Sequence, residues 1–157
     1  MNPTTVVVSR SEDATERLGR TIAQALRPGM IVALHGDLGA GKTVLSRGIA
    51  RGLGIREKVT SPTFTVVQEY CRPDGTYLFH LDMYRIENED AALAFGVEEY
   101  LFAADGISLV EWPERIEGLL LDPGTGAPGA VWTLRLYHGE EGSRHIELPD
   151  ALFEQSR

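Results

Sequence analysis

Residues 36–43 read Gly-Asp-Leu-Gly-Ala-Gly-Lys-Thr, and no other segment limits the possible folds of this chain so strongly. An uninterrupted apolar run at 30–35 leads into it, of the kind buried in a parallel sheet. A helical stretch at 42–53 leads out, with Gly54 placed as its C-terminal cap. Strand, glycine-rich turn and helix in that order, with the pattern GxxxxGKT, make a P-loop. Gly36, Gly39 and Gly41 permit backbone conformations and close approaches that a side chain would obstruct. Successive N–H groups can then surround phosphates, aided by the positive end of the following helix. Lys42 supplies a cation toward the β and γ phosphates, and the Thr43 hydroxyl is placed to ligate magnesium. An ordinary strand-to-helix turn would require neither residue. The segment therefore predicts binding of ATP or ADP with Mg2+ through Asp37, Leu38, Gly39, Ala40, Gly41, Lys42 and Thr43.

The rest of the chain fits an α/β protein around that loop. A short β-branched strand is expected at 4–8, followed by a helix whose apolar positions run from Ala14 through Leu18 and Ile22 to Leu26, stopped by Pro28-Gly29. Ser9 and Glu12 stand at capping-box spacing, with Ser11 as an alternative cap. Strands at 65–70 and 76–83 are joined by a turn at Pro73-Asp74-Gly75, and a helix at 89–102 is interrupted at Gly96. A buried-type strand follows at 107–111, then a flexible connection at 122–129. Segments 131–138 and 144–148 alternate around 139–142 as a terminal hairpin. The expected architecture is a P-loop NTPase-like three-layer sandwich with a mixed sheet and a C-terminal antiparallel hairpin. Its 157 residues fit one domain, 1–157, with the tail after about 149 expected to be poorly ordered.

Composition excludes several classes. With 43% apolar and 24% charged residues the chain is not disordered. A net charge of −8 argues against a protein that grips nucleic acid by itself, though not against an acidic subunit on a basic partner. One cysteine, Cys71, allows no disulfide framework, and four scattered histidines have no ligand spacing; packing or surface roles are expected for them. No apolar run approaches a membrane helix and residues 1–10 lack a secretory signal, so a cytoplasmic protein is expected.

A P-loop enzyme also needs a carboxylate at the end of a neighbouring strand, to hold the metal's water shell or orient the attacking water. Asp82 ends one apolar run and Glu111 ends another. Either carboxylate alone could merely meet solvent; the pair beside this loop points to the metal site, with Glu111 favoured. Which of them orients water is left open. Thr60-Ser61-Pro62-Thr63-Phe64-Thr65 has the composition of a nucleotide-sensing loop and equally of a self-satisfied turn. Trp112 fits a place near the nucleotide or in the core, and Arg85 fits an exposed strand end better than a phosphate clamp. Adenine is expected by elimination, since the asparagines, Asn2 and Asn88, begin no NKxD guanine motif. A small-molecule kinase and a nucleotide-dependent binding switch remain as alternatives.

HGDLGAGKTVLSRGIARGLGI, VTSPTFTVVQEY, HLDMYRI and LVEWPERI, in this order and spacing, resemble the TsaE family. That family supplies the ATPase subunit of the bacterial machinery that forms threonylcarbamoyladenosine in tRNA. The resemblance implies slow, magnesium-dependent ATP hydrolysis in support of that machinery. It implies TsaD-like and TsaB-like partner subunits, with tRNA met indirectly through the complex. Position by position, it places Leu38 to Thr43 on phosphates, Thr43 and Glu111 at magnesium with Asp82 beside it, Glu12 near the base, and Arg144 in the last hairpin as a nucleotide contact.

Overall fold

The two continuous apolar runs read from the sequence lie side by side at the centre of one sheet. The computed structural model of the chain describes residues 3–37, 39–121 and 131–154. Its strands are β1 (Thr4–Ser9), β2 (Ile31–His35), β3 (Val67–Cys71), β4 (Tyr77–Asp82), β5 (Gly106–Glu111), β6 (Val131–His138) and β7 (Arg144–Pro149). Its α-helices are α1 (Glu12–Ala23), α2 (Lys42–Gly52), α3 (Glu89–Phe95), α4 (Glu98–Leu101), α5 (Glu117–Leu121) and α6 (Asp150–Glu154). The sheet order is β1-β7-β6-β2-β5-β4-β3. β2, β4, β5 and β6 run parallel, whereas β3 and β7 pair antiparallel to their neighbours and β1 is antiparallel to β7. The sheet is mixed, as expected.

Alternation along the strands sorts the core into two halves. Val32, Leu34, Leu78, Ile107 and Leu109 pack with Ile22 of α1 and Leu45 and Ile49 of α2. Ile31, Phe79, Leu81 and Val110 pack on the other face with Ala92, Leu101 and Ile116. Helices thus cover both faces, giving three layers. α1 and α2 approach closely at glycines: a Cβ on Gly19 would stand 2.6 Å from the Leu45 carbonyl oxygen, and one on Gly48 would strike the Glu16 carbonyl.

Several expectations need correction. β1 runs on to Ser9, whose backbone pairs with Arg144 and whose hydroxyl meets Thr15 Oγ1 at 2.6 Å. The capping box on Ser9 and Glu12 therefore does not form, and Ser11 caps α1 by accepting from the Ala14 N–H at 3.0 Å. Regular α-helix stops at Ala23, and Ala25 and Leu26 stay buried in the looser turn beyond it. β3 starts at Val67, because residues 62–66 close a turn by a Val66 N–H to Pro62 carbonyl bond of 2.7 Å. Gly96, at φ 92°, separates α3 from α4 as the sequence suggested. The tail expected to be poorly ordered forms α6 over Asp150–Glu154, anchored by the buried Leu152. The connection at 122–129 and residues 155–157 lie outside the described residues. No helix among the described residues is long and apolar enough to cross a membrane.

Candidate functional site

β2 delivers the chain into the glycine-rich turn at the C-terminal edge of the parallel strands. A Cβ on Gly36 would stand 3.1 Å from the Leu136 carbonyl oxygen, so β6 crowds the start of the turn. Ala40 gives its N–H to the Asp37 carbonyl at 3.0 Å and turns its methyl into the core. Gly41, at φ 101°, redirects the backbone into α2 from the left-handed region, where glycine alone is unstrained. Ser11 caps α1 and Asn88 caps α3 by side-chain hydrogen bonds, but α2 has no side-chain cap. The free N–H groups of its first turn border a cavity of about 490 Å³.

Across that cavity the register of β4 with β5 sets Asp82 opposite Glu111. Both follow the positions of Leu78 and Leu109 at even spacing, so both face the α2 side, and both are buried. Ser61 Oγ lies 3.0 Å from Asp82 Oδ2 and 2.8 Å from Glu111 Oε2, within reach to donate to either. Thr63 donates to Asp82 Oδ2 at 3.1 Å, and the Tyr84 N–H donates to Asp82 Oδ1 at 2.9 Å. The hydroxyl-rich loop thus rests on the two carboxylates. Behind Glu111, His80 Nε2 stands 2.7 Å from Oε2. Burial alone would raise the Glu111 pKa; His80, through its hydrogen bond and charge, Ser61 and Lys42 together outweigh it and hold the carboxyl below its ordinary value.

Lys42 opens α2 with its ammonium buried and, among the described residues, without a hydrogen-bond partner. It sits 4.0 Å from the centroid of the Trp112 ring. Trp112 reaches that place from the left-handed backbone region, φ 57° and ψ 49°, and also packs on Tyr84 with ring centroids 5.1 Å apart. Burial pushes the Lys42 pKa down, against the upward pull of Glu111, Asp82, Glu114 and Asp37.

Most of the residues singled out from the sequence converge here. Gly39, Gly41, Lys42, Thr43, Asp82 and Glu111 all border the cavity, as do Glu12 from the first turn of α1 and Arg144 from β7. Arg144 donates to the carbonyls of Gly39 at 3.0 Å, Gly142 at 3.0 Å and Ser143 at 3.1 Å, tying the hairpin to the glycine-rich turn. Asp37 instead borders a second hollow of about 330 Å³ on the far side of Trp112, Ala40 is packed in the core, and Leu38 lies outside the described residues. Arg85 is exposed and stacks on Phe64, its guanidinium carbon 4.4 Å from the ring centroid. Sequence reasoning missed His80, though a readable signal existed: it stands two residues before Asp82, on the same face of an apolar strand. Among the described residues no three His, Cys, Asp or Glu side chains form a metal cage of their own. Two carboxylates beside a hydroxyl suit magnesium, which seldom uses an all-protein cage.

A model of the family described as threonylcarbamoyl adenosine biosynthesis protein TsaE matches residues 9–146. Three relatives named tRNA threonylcarbamoyladenosine biosynthesis protein TsaE illustrate the similarity. The one from Treponema pallidum is 39% identical over 141 residues, 90% of this chain and 97% of the relative. The one from a Nostoc species is 36% identical over 148 residues, 92% and 85% of the two chains. The one from a Synechocystis species is 46% identical over 110 residues, 68% and 69%. The crystal structure of YdiB from Bacillus subtilis superposes with a TM-score of 0.76 at 29% identity, covering 99% of this chain and 95% of that one.

Proposed function

The chain belongs to the TsaE family of threonylcarbamoyl adenosine biosynthesis proteins, and from that premise we propose that it is a magnesium-dependent ATPase subunit serving threonylcarbamoyladenosine formation in tRNA. One observation carries the ATP reading: a buried lysine ammonium with no hydrogen-bond partner stands at an uncapped helix N-terminus, across a cavity from two buried carboxylates. That arrangement fits a polyphosphate, which supplies the anion that Lys42 lacks and accepts from the free N–H groups of α2.

In this reading Lys42 and the first turn of α2 bind the phosphates of ATP, and ADP is the product. Thr43, Asp82 and Glu111 would hold Mg2+, which supplies neutralisation of phosphate charge and orders water when bound. Glu12 and the neighbouring hydroxyls of Ser11 and Thr15 line the part of the cavity left for the base. The depressed Glu111 pKa keeps its carboxylate ionised and weakly basic, which suits orienting water through Oε1 better than removing a proton from it. Arg144, which borders the cavity, is engaged on three carbonyls, and Arg85 stacks on Phe64. An arginine at the transferred phosphate accelerates P-loop hydrolysis strongly, so slow turnover alone is expected, with partner subunits completing the site. We propose TsaB-like and TsaD-like subunits as those partners, in the cytoplasm, with tRNA reached through them; the net charge of −8 agrees with that indirect route.

The test is phosphate release by the purified chain with and without Mg2+, then with the two partner subunits, then with tRNA. Slow, magnesium-dependent release that the partners change is the expected result. Fast release indifferent to every addition would overturn the reading, and phosphate transfer to a small-molecule acceptor would restore the kinase alternative.

A further inference from the structure

We infer that His80 is a positioning residue: its Nε2–H anchors Glu111 Oε2 and thereby presents Oε1 to the cavity. The inference rests on the ATPase reading above, because it assigns Glu111 its working orientation. His80 is fully buried, and its Nε2 lies 2.7 Å from Glu111 Oε2. Ser61, whose one proton can go to this oxygen at 2.8 Å or to Asp82, is a second contact on Oε2, while none of the described residues donates to Oε1. A carboxylate can rotate about its last torsion; a donor fixed on one oxygen removes that freedom and chooses which oxygen faces the ligand.

The placement is not what packing alone would select. The register partner of His80 on β5 is Leu109, and the position two residues earlier on β4 is Leu78, both fully buried in the apolar layer under α1 and α2. An imidazole there carries a desolvation cost that a leucine would avoid. Nδ1 has no hydrogen-bond partner among the described residues. A proton on Nε2 meets the carboxylate, and Nδ1 is the ring position left unmatched. The ring thus commits its Nε2 donor to Glu111. Ser61 belongs to the loop at 60–65, whereas His80 sits on β4, paired on both sides within the sheet, as the fixed anchor.

Two variants and one spectrum test this. His80→Leu keeps bulk and removes the donor. His80→Gln offers an amide Nε2 the same number of bonds from Cα. In the full chain with its partners, His80→Leu is expected to lower kcat for ATP hydrolysis about 10- to 100-fold, the usual effect of removing a residue that orients a metal-site ligand. Nucleotide affinity should stay unchanged, and His80→Gln should recover most of the loss. Independently of activity, long-range 1H–15N spectra of the free protein should show His80 protonated at Nε2, with a slowly exchanging Nε2 proton that shifts in Glu111→Gln. A folded His80→Leu that turns over like the parent, or a His80→Gln as defective as His80→Leu, would overturn the inference. So would an Nδ1–H tautomer, which decides the matter even where His80→Leu fails to fold. A parent chain that hydrolyses no ATP with its partners would count against the ATPase reading, whereas normal hydrolysis in His80→Leu counts against this inference alone.

Discussion

Replacing Lys42 by methionine should abolish ATP binding and at the same time make the ligand-free protein more stable. The ammonium is buried with no hydrogen-bond partner among the described residues, and such an unsatisfied donor costs about 1–3 kcal/mol, more when charged. Its contact with the Trp112 ring, 4.0 Å to the centroid, returns about 0.5–2 kcal/mol. Glu111 and Asp82 return more through space, yet the Lys42 pKa is still lowered from 10.5, so burial outweighs the attraction of the carboxylates around it. Methionine keeps the stem and sets sulfur against the indole for about 0.3–1.5 kcal/mol. The balance favours the variant by about 1 kcal/mol, a rise in Tm of roughly 2–4 °C for a chain of this size. The pH dependence has a definite sign. Below the folded pKa both states carry the charge and the penalty is complete. As pH rises through that pKa toward 10.5 the folded lysine neutralises, the parent gains stability, and the difference shrinks. Calorimetry without nucleotide, at neutral pH and again near pH 10, measures both effects; added ATP with Mg2+ should raise the Tm of the parent only. A Lys42→Met protein less stable than the parent at neutral pH would refute the reasoning, by showing that the carboxylates more than compensate the buried charge.

Other perturbations separate the remaining roles. Thr43 is exposed, so Thr43→Ala should leave Tm unchanged while raising the Mg2+ concentration for half-maximal hydrolysis about tenfold, read by magnesium titration. Glu111→Gln should retain ATP binding and lose about 10²–10³ in kcat, with Asp82→Asn the milder change; the opposite ranking in single-turnover assays would exchange their roles. Acid unfolding should also register Glu111: its folded pKa lies below 4.5, so its contribution is present above that pH and lost as pH falls through the folded value, and Glu111→Gln should lack that part of the acid limb. Gly48→Ala drives a methyl into the Glu16 carbonyl across the α1–α2 contact, and denaturant titration should show a loss of about 1–3 kcal/mol.

What could be read in advance follows from the range over which each interaction acts. The P-loop is one contiguous segment whose strand, glycines, lysine and hydroxyl are fixed by local requirements, and the structure gathers Gly39, Gly41, Lys42 and Thr43 at one cavity. The capping of α1 was ambiguous because Ser9 and Ser11 both satisfy local rules; the choice was made by β7, which draws Ser9 into the sheet from the other end of the chain. The tail gives the same lesson, since α6 is too short to hold as a helix alone and is held by burying Leu152. Asp82 and Glu111 were recognisable as strand-end carboxylates, but that they stand opposite one another is a fact of register, which nothing local specifies.

His80 shows where such reading has to change. As one histidine among four it carries no motif, and a packing or surface role is what the sequence suggests for it. Alternation along β4, however, already put it on the face of Asp82, and a polar ring flanked by the buried Leu78 and Leu109 needs a partner. The carboxylate it meets on that face is Glu111, one strand over and two residues along the register. A search for buried polar residues at even spacing from a strand-end carboxylate would therefore have found it, since the cost of burying an unpaired imidazole makes the partner obligatory wherever the strand is central.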